Sequence, residues 1–167
     1  MKNEIKFHAE YVEVDSSEYT PNYTVIGIFF GEGDPENGGQ HWNFTRSIGD
    51  DTDEGVCTVK EIQSVTIYGG IDHFSINSKG LVCEFSQNSV SETKVKNLII
   101  TFNISDEKWA QLSEMAKRVF KDEKYFEIDS KSLGRTGFGA GRGLYIIFCY
   151  PITFFYFSYI LFFFKNY

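Results

Sequence analysis

Hydrophobic and polar residues alternate over residues 4–14, with Ile5, Phe7, Ala9 and Tyr11 on one face and Glu4, Lys6, His8 and Glu10 on the other. A period of two marks a half-buried strand, because successive side chains of an extended chain point to opposite sides. The polar run at residues 15–21 then predicts a turn. Residues 23–30, YTVIGIFF, are apolar on both faces and predict a central strand. The glycine- and acid-rich stretch at 31–39 predicts a loop. A strand follows at 40–47, with Trp42 and Phe44 on one face. An acidic turn at 49–55 leads to a short strand at 56–59. Residues 62–68 predict a further strand, stopped by Gly69 and Gly70. Phe74 and Ile76, then Leu81, Cys83 and Phe85, flank Asn77-Ser78-Lys79-Gly80 and predict a hairpin. Residues 87–96 read as a polar loop. Alternation returns at 97–104, with Leu98, Ile100, Phe102 and Ile104 inward.

From residue 105 the period changes. Trp109, Leu112, Ala116, Val119 and Phe120 recur at steps of three and four, with Met115 at the edge of the stripe, which predicts an amphipathic helix over 105–122. Ser105 stands at the N-cap position. Asp106 and Glu107 sit at the positive end of the helix dipole, and Lys117, Arg118 and Lys121 at the negative end. Strands first and one single-striped helix last give an α+β domain: an antiparallel, mostly meandering β-sheet covered by one C-terminal amphipathic helix. The helix is expected to close the core near Asp122. The domain then spans residues 1–124, followed by a Gly-rich linker over 125–143 and a hydrophobic tail over 144–167.

Charge changes the picture. The formal net charge is −7, and residues 1–61 alone hold four Lys or Arg against thirteen Asp or Glu, a balance of −9. Phosphate would be repelled by that half, so nucleic acid is not expected as a partner; the bias fits either a basic protein partner or simply a solvated face. The three cysteines, Cys57, Cys83 and Cys149, are odd in number and lack C-x-x-C spacing, which fits reduced thiols in the cytoplasm. The opening MKNEIKFHAE has no apolar core and predicts no secretory signal.

Candidate chemistry is sparse. His8, His41 and His73 fall one per strand or turn, in no zinc or nucleophile–base spacing, and no G-x-S-x-G occurs. No catalytic residue, metal or cofactor is expected. The acidic turn partly mimics a calcium loop, with Asp50, Thr52, Glu54, Gly55 and Glu61 at ligand-like positions. Glu54 is long for its place, however, and the flanks read as strands rather than helices. A solvated turn and a docking surface remain. In the docking reading Asp50, Asp51, Asp53 and Glu54, with Glu32, Asp34 and Glu36, form an acidic surface that steers and binds a cationic partner. The glycine-rich 134–143 lacks the Lys-Ser or Lys-Thr of a phosphate loop and reads as a flexible linker.

The order of landmarks resembles a known family. The opening FHAEYVEVD, the strand–loop–strand VIGIFFGEGDPENGGQHWNFTRS, the Tyr68–Ile71 turn YGGI and the closing FNISDEKWAQLSEMAKRVF are similar to Imm10-type immunity proteins of bacterial polymorphic toxin systems. The resemblance covers about residues 4 to 122. It implies a small α+β domain that binds and neutralises a toxin encoded beside it. It supplies no catalytic residues. A membrane-tethered α+β module with a structural or signalling role is the alternative.

The tail has no counterpart in that family. Residues 144–164 carry no charge, and as a helix would be about 30 Å long, enough to span a bilayer core. Lys131, Arg135 and Arg142 precede it, so the positive-inside rule keeps the domain in the cytoplasm. One reading is an inner-membrane anchor. A second is a frameshift product, since the tail is almost wholly Phe, Tyr, Ile and Leu, and a third is a buried extension of the fold.

Overall fold

The computed structural model describes residues 3–34, 37–49, 53–61 and 64–128. The chain divides into two compact units, residues 1–134 and 135–167, and the second lies outside the described residues. The first is α+β. Its strands are β1 (Glu4–His8), β2 (Tyr11–Thr20), β3 (Tyr23–Gly31), β4 (His41–Gly49), β5 (Cys57–Lys60), β6 (Val65–Tyr68), β7 (Ile71–Asn77), β8 (Gly80–Phe85), β9 (Asn97–Thr101) and β10 (Phe126–Ile128). Its helices are α1 (Gln87–Thr93), between β8 and β9, and α2 (Asp106–Val119), between β9 and β10.

The single meandering sheet gives way to two sheets of five strands each. The meander sheet runs β2-β3-β4-β5-β6, with every neighbouring pair antiparallel. The closing sheet runs β1-β9-β8-β7-β10. Both of its outermost pairs, β1 with β9 and β10 with β7, are parallel.

Four sequence expectations change with it. The alternation over 4–14 is two strands, not one. The Ala9 N–H bonds to the Thr101 carbonyl and the Glu10 N–H to the Gly31 carbonyl, each at 2.8 Å, so the chain changes sheets between consecutive residues without a polar break. The predicted turn at 15–21 is mostly strand: Asp15, Ser16 and Ser17 pair with Gly27, Ile26 and Val25. Backbone pairing with β3 holds this polar stretch extended at the sheet margin. The polar loop contains α1, whose buried residues are Ser89 and Thr93. Thr93 Oγ1 donates to the Ser89 carbonyl at 2.9 Å, which satisfies a hydroxyl buried without an apolar stripe. Finally, α2 is not the last element. Phe126 and Ile128 of β10 lie in register with Phe74 and Ile76, so the domain runs past residue 124.

The helix itself forms as its sequence requires. Ser105 Oγ accepts the Lys108 N–H at 3.2 Å, and Trp109, Leu112, Met115, Ala116 and Val119 are buried. It lies along β3, with β2 and β4 also in reach, on the inner face of the meander sheet. The closing sheet covers the same inner face. Aromatic rings bridge the two sheets: Trp42 stacks on Phe85 at 5.6 Å, and Phe44 meets Phe74 edge-on at 4.9 Å. Phe30 stacks on Phe102, just beyond β9, at 5.7 Å. One continuous core results.

The chain returns from the meander sheet to the closing sheet through the Tyr68–Ile71 turn. Gly69 and Gly70 both have left-handed backbones, at φ +66° and +70°. A Cβ on Gly70 would also sit 1.8 Å from Ser89 Oγ. Gly70→Ala is therefore expected to cost at least about 2 kcal/mol, from left-handed strain plus overpacking. Urea unfolding measures it, and a loss within roughly 0.5 kcal/mol of zero, the range of an ordinary surface change, would show that the crossover tolerates a side chain.

Candidate functional site

The seven acidic residues singled out by sequence do not form one surface in the described structure. Glu32 and Asp34 follow β3, whereas Asp53 and Glu54 follow β4. These strands are antiparallel and paired from Tyr23↔Gly49 to Gly31↔His41. The two groups therefore stand at opposite ends of the sheet, roughly 26 Å apart at about 3.3 Å per residue. Glu36, Asp50 and Asp51 lie outside the described residues. Asp34 accepts a hydrogen bond from Asn37 Nδ2 at 2.8 Å.

Asp53 is already engaged within the fold. Arg46 projects inward at the end of β4, with its side chain only 11% exposed. Its Nε and Nη2 bond to the two Asp53 oxygens at 2.9 and 2.6 Å. Nη1 donates to the carbonyls of Val119 and Lys121 at 3.3 and 2.6 Å, and Glu123 lies 3.6 Å away. The guanidinium thus caps the C-terminal end of α2 and clamps it to the acidic turn. It also holds the Asp53 carboxyl below its usual range. Asp53 is a structural counter-ion, and Glu54 is the other described acid of that turn. The strand flanks β4 and β5 are not the helices of a calcium loop.

The outer face of the meander sheet has a different character. On β3 the odd-numbered residues Tyr23, Val25, Gly27, Phe29 and Gly31 point outward, while Ile26, Ile28 and Phe30 fill the core. Two rings lie flat against glycines. A Cβ on Gly31 would stand 2.0 Å from the Tyr11 ring, and one on Gly27 would stand 2.9 Å from the Phe29 ring. Other aromatics stand up from this floor. Tyr19 packs beside Tyr23 at 5.9 Å, the Tyr23 hydroxyl meets Ser47 Oγ at 3.0 Å, and Tyr68 stands opposite Cys57 across β5 and β6. No described lysine or arginine occupies an outward position on β2 to β6; Arg46 and Lys60 both project inward, Lys60 lying 5.8 Å from the centre of the Trp42 ring.

The histidines are dispersed. His8 Nδ1 meets Thr101 Oγ1 at 3.1 Å on the closing sheet. His41 is 6% exposed, its Nδ1 2.6 Å from the Tyr11 hydroxyl and its Nε2 without a hydrogen-bond partner. Tyr11 from beyond the neighbouring strand shields it. Cys57 and Cys83 are buried free thiols, both pushed up by burial. Among the described residues, no group of three or more His, Cys, Asp or Glu could hold a metal ion, and no helix is long and apolar enough to cross a membrane. The tail at 144–167 and Cys149 lie outside them.

No protein-family model, curated protein or solved structure matches this chain. The immunity-protein resemblance therefore rests on the sequence landmarks quoted above. Two of those landmarks hold the fold together: Arg46 clamps α2 and Tyr68–Ile71 joins the sheets. The exposure of Tyr23 is hidden in the sequence, because YTVIGIFF looks uniformly apolar. Gly27 and, just after that run, Gly31, both on the outward register, are the available sign that aromatic rings approach the backbone of this strand closely.

Proposed function

We propose that the chain is a non-catalytic immunity protein that binds and neutralises a bacterial toxin encoded beside it. One observation carries this reading beyond the landmarks. Residues 1–61 balance at −9, and the two basic side chains of the meander sheet, Arg46 and Lys60, are turned inward. With the Arg46–Asp53 and Lys60–Glu61 pairs set aside, this half still carries a large excess of negative charge. Toxins that act on nucleic acid carry cationic clefts, and an acidic inhibitor is steered to such a cleft and fills it. No cofactor is required. The domain works in the cytoplasm, or at the inner membrane facing the cytoplasm if residues 144–167 are an anchor. Carbonate-resistant membrane retention that vanishes on deleting those residues distinguishes the two.

Co-expression with the neighbouring toxin gene tests the function. Growth is restored if the reading is right, and a toxin that kills equally with and without this chain excludes it. Electrostatic steering carries its own prediction. Replacing Glu32, Asp34 and Glu54 with lysine is expected to slow association with the toxin about tenfold or more at low salt, and the difference should fade at high salt. Stopped-flow association rates that do not vary with salt would remove steering from the account. Asp53 is left out of that set because its substitution would unfasten Arg46.

A further inference from the structure

We infer that the outer face of the meander sheet, around Tyr19, Tyr23 and Tyr68, is the docking surface for a cationic protein, and that the cleft beside Tyr68 receives a lysine or arginine from it. This rests on the binding function proposed above and locates it.

The face is aromatic and open. Tyr68, Tyr19 and Tyr23 are 54%, 38% and 37% exposed, whereas Ile48, 44% exposed, stands on the opposite, inward register of β4. Val82, on the closing sheet, is the other large hydrophobic exposed among the described residues. Tyrosine suits such a place: it offers a broad apolar ring and a hydrogen-bonding hydroxyl while freezing few rotors on binding. The flat rings of Tyr11 and Phe29 smooth the rest of the surface. Two strand spacings of about 4.8 Å across strands of about 26 Å, and two across the four-residue β5 and β6 at about 13 Å, give a flat face of roughly 370 Å², about half of one partner's share of an ordinary complex.

Charge selects the partner. Glu13 and Asp15 lie on the outward register of β2. No described base faces them. The outer register of the closing sheet, by contrast, mixes Lys6 with Glu4, Glu84 and Glu127. An open cleft of about 430 Å³ adjoins Tyr68, bounded by Gly70, Ser86, Asn88, Ser89 and Glu92. Glu92 is its sole charged residue, and the serine and asparagine oxygens supply further acceptors. A long cationic side chain satisfies both. A second copy of this chain does not, because two such faces would oppose carboxylates with no base between them.

The test uses the full chain, with an active-site-inactivated form of the neighbouring toxin gene's product as probe. Tyr68→Ala, the pair Tyr19→Ala/Tyr23→Ala, and Glu92→Lys are each expected to weaken binding about tenfold or more, and Lys6→Ala with Val82→Ala on the closing sheet less than about twofold. Circular dichroism checks each variant's fold. Nitration of the wild-type tyrosines gives a mutation-free readout, in which Tyr19, Tyr23 and Tyr68 are protected only when the toxin is bound. Undiminished binding by the tyrosine variants, or unchanged nitration in the complex, overturns the docking surface while leaving the immunity reading standing. A dimeric mass that Tyr68→Ala makes monomeric, or protection of the tyrosines in the free chain that disappears on deleting residues 129–167, overturns it in favour of those occupants. If the wild type does not bind the toxin at all, the immunity reading fails and the docking surface falls with it.

Discussion

Phe120→Ala should remove about 4 kcal/mol of stability, a large part of what a domain of this size possesses. Phe120 is the C-cap of α2 and is 1% exposed. Its ring lies 4.2 Å from Phe74 of the closing sheet and 6.0 Å from Phe44 of the meander sheet. It also stacks on Phe126 of β10 at 4.9 Å, with the two rings within 6° of parallel. One side chain thus joins both sheets, the helix and the last strand. Truncation opens a cavity that cannot collapse without moving several of these. Because β10 pairs through only three residues, hydrogen exchange there should accelerate beyond the change elsewhere. Urea denaturation gives the magnitude, and a loss under about 1.5 kcal/mol, in the range of a tolerated core swap, would mean that this junction is loosely packed.

Arg46→Met should cost about 3 kcal/mol. Methionine keeps most of the aliphatic stem, so the loss isolates the guanidinium. Without it the Val119 and Lys121 carbonyls at the end of α2 lose their donor, and Glu123 loses its nearest cation. Removing one member of a fully buried ion pair costs about 3 to 5 kcal/mol. The lower figure applies here because Asp53 is 57% exposed and water screens it. Asp53→Asn should cost less, about 1 kcal/mol, since the carbonyl contacts survive. Acid titration separates the charge from the packing. The folded-state pKa of Asp53 is lowered, by its hydrogen bond to Arg46 first. The pair's contribution is therefore present above the ordinary aspartate value of about 3.9 and is lost as pH falls through the lower folded value. In Arg46→Met that part of the acid limb should flatten. Parallel acid limbs for wild type and mutant would show that the bond adds no charge-dependent stability.

Elements with a strong period were legible in the sequence. The helix cap at Ser105, the stripe from Trp109 to Phe120, the hairpin of β7 and β8 and the apolar β3 are where the alternation put them. What escaped had a weak period or none. The step from β1 to β2 at Ala9 and Glu10 keeps alternating while its hydrogen bonds change sheets, so side-chain pattern carried no trace of it. Ser16 and Ser17 of β2 take their extended form from pairing with β3, a tertiary effect absent from local composition. In α1 the buried groups are hydroxyls, and β10 is too short for a period to show. For the candidate surface, the excess of acid was legible, but its arrangement was not. Antiparallel pairing sends Glu32 and Glu54 to opposite ends of the sheet, and only the register of β3 and β4 contains that fact.

The two sheets also differ in how far the chain must reach to build them. Strands of the meander sheet follow one another through connections of two to nine residues, whereas His8 meets Thr101 across 93 positions. Short loops close early and long ones late, since the entropy of closure rises with length and non-local topology slows folding. A growing chain therefore has every strand of the tyrosine-bearing sheet by Tyr68, before the partner of β1 has been synthesised. Until β7 to β9 and α2 follow, Ile26, Ile28, Phe30, Trp42 and Phe44 have only water behind them. The nascent protein passes through a stage with its outer surface in place and its inner surface bare, and that is the interval in which it most needs a chaperone.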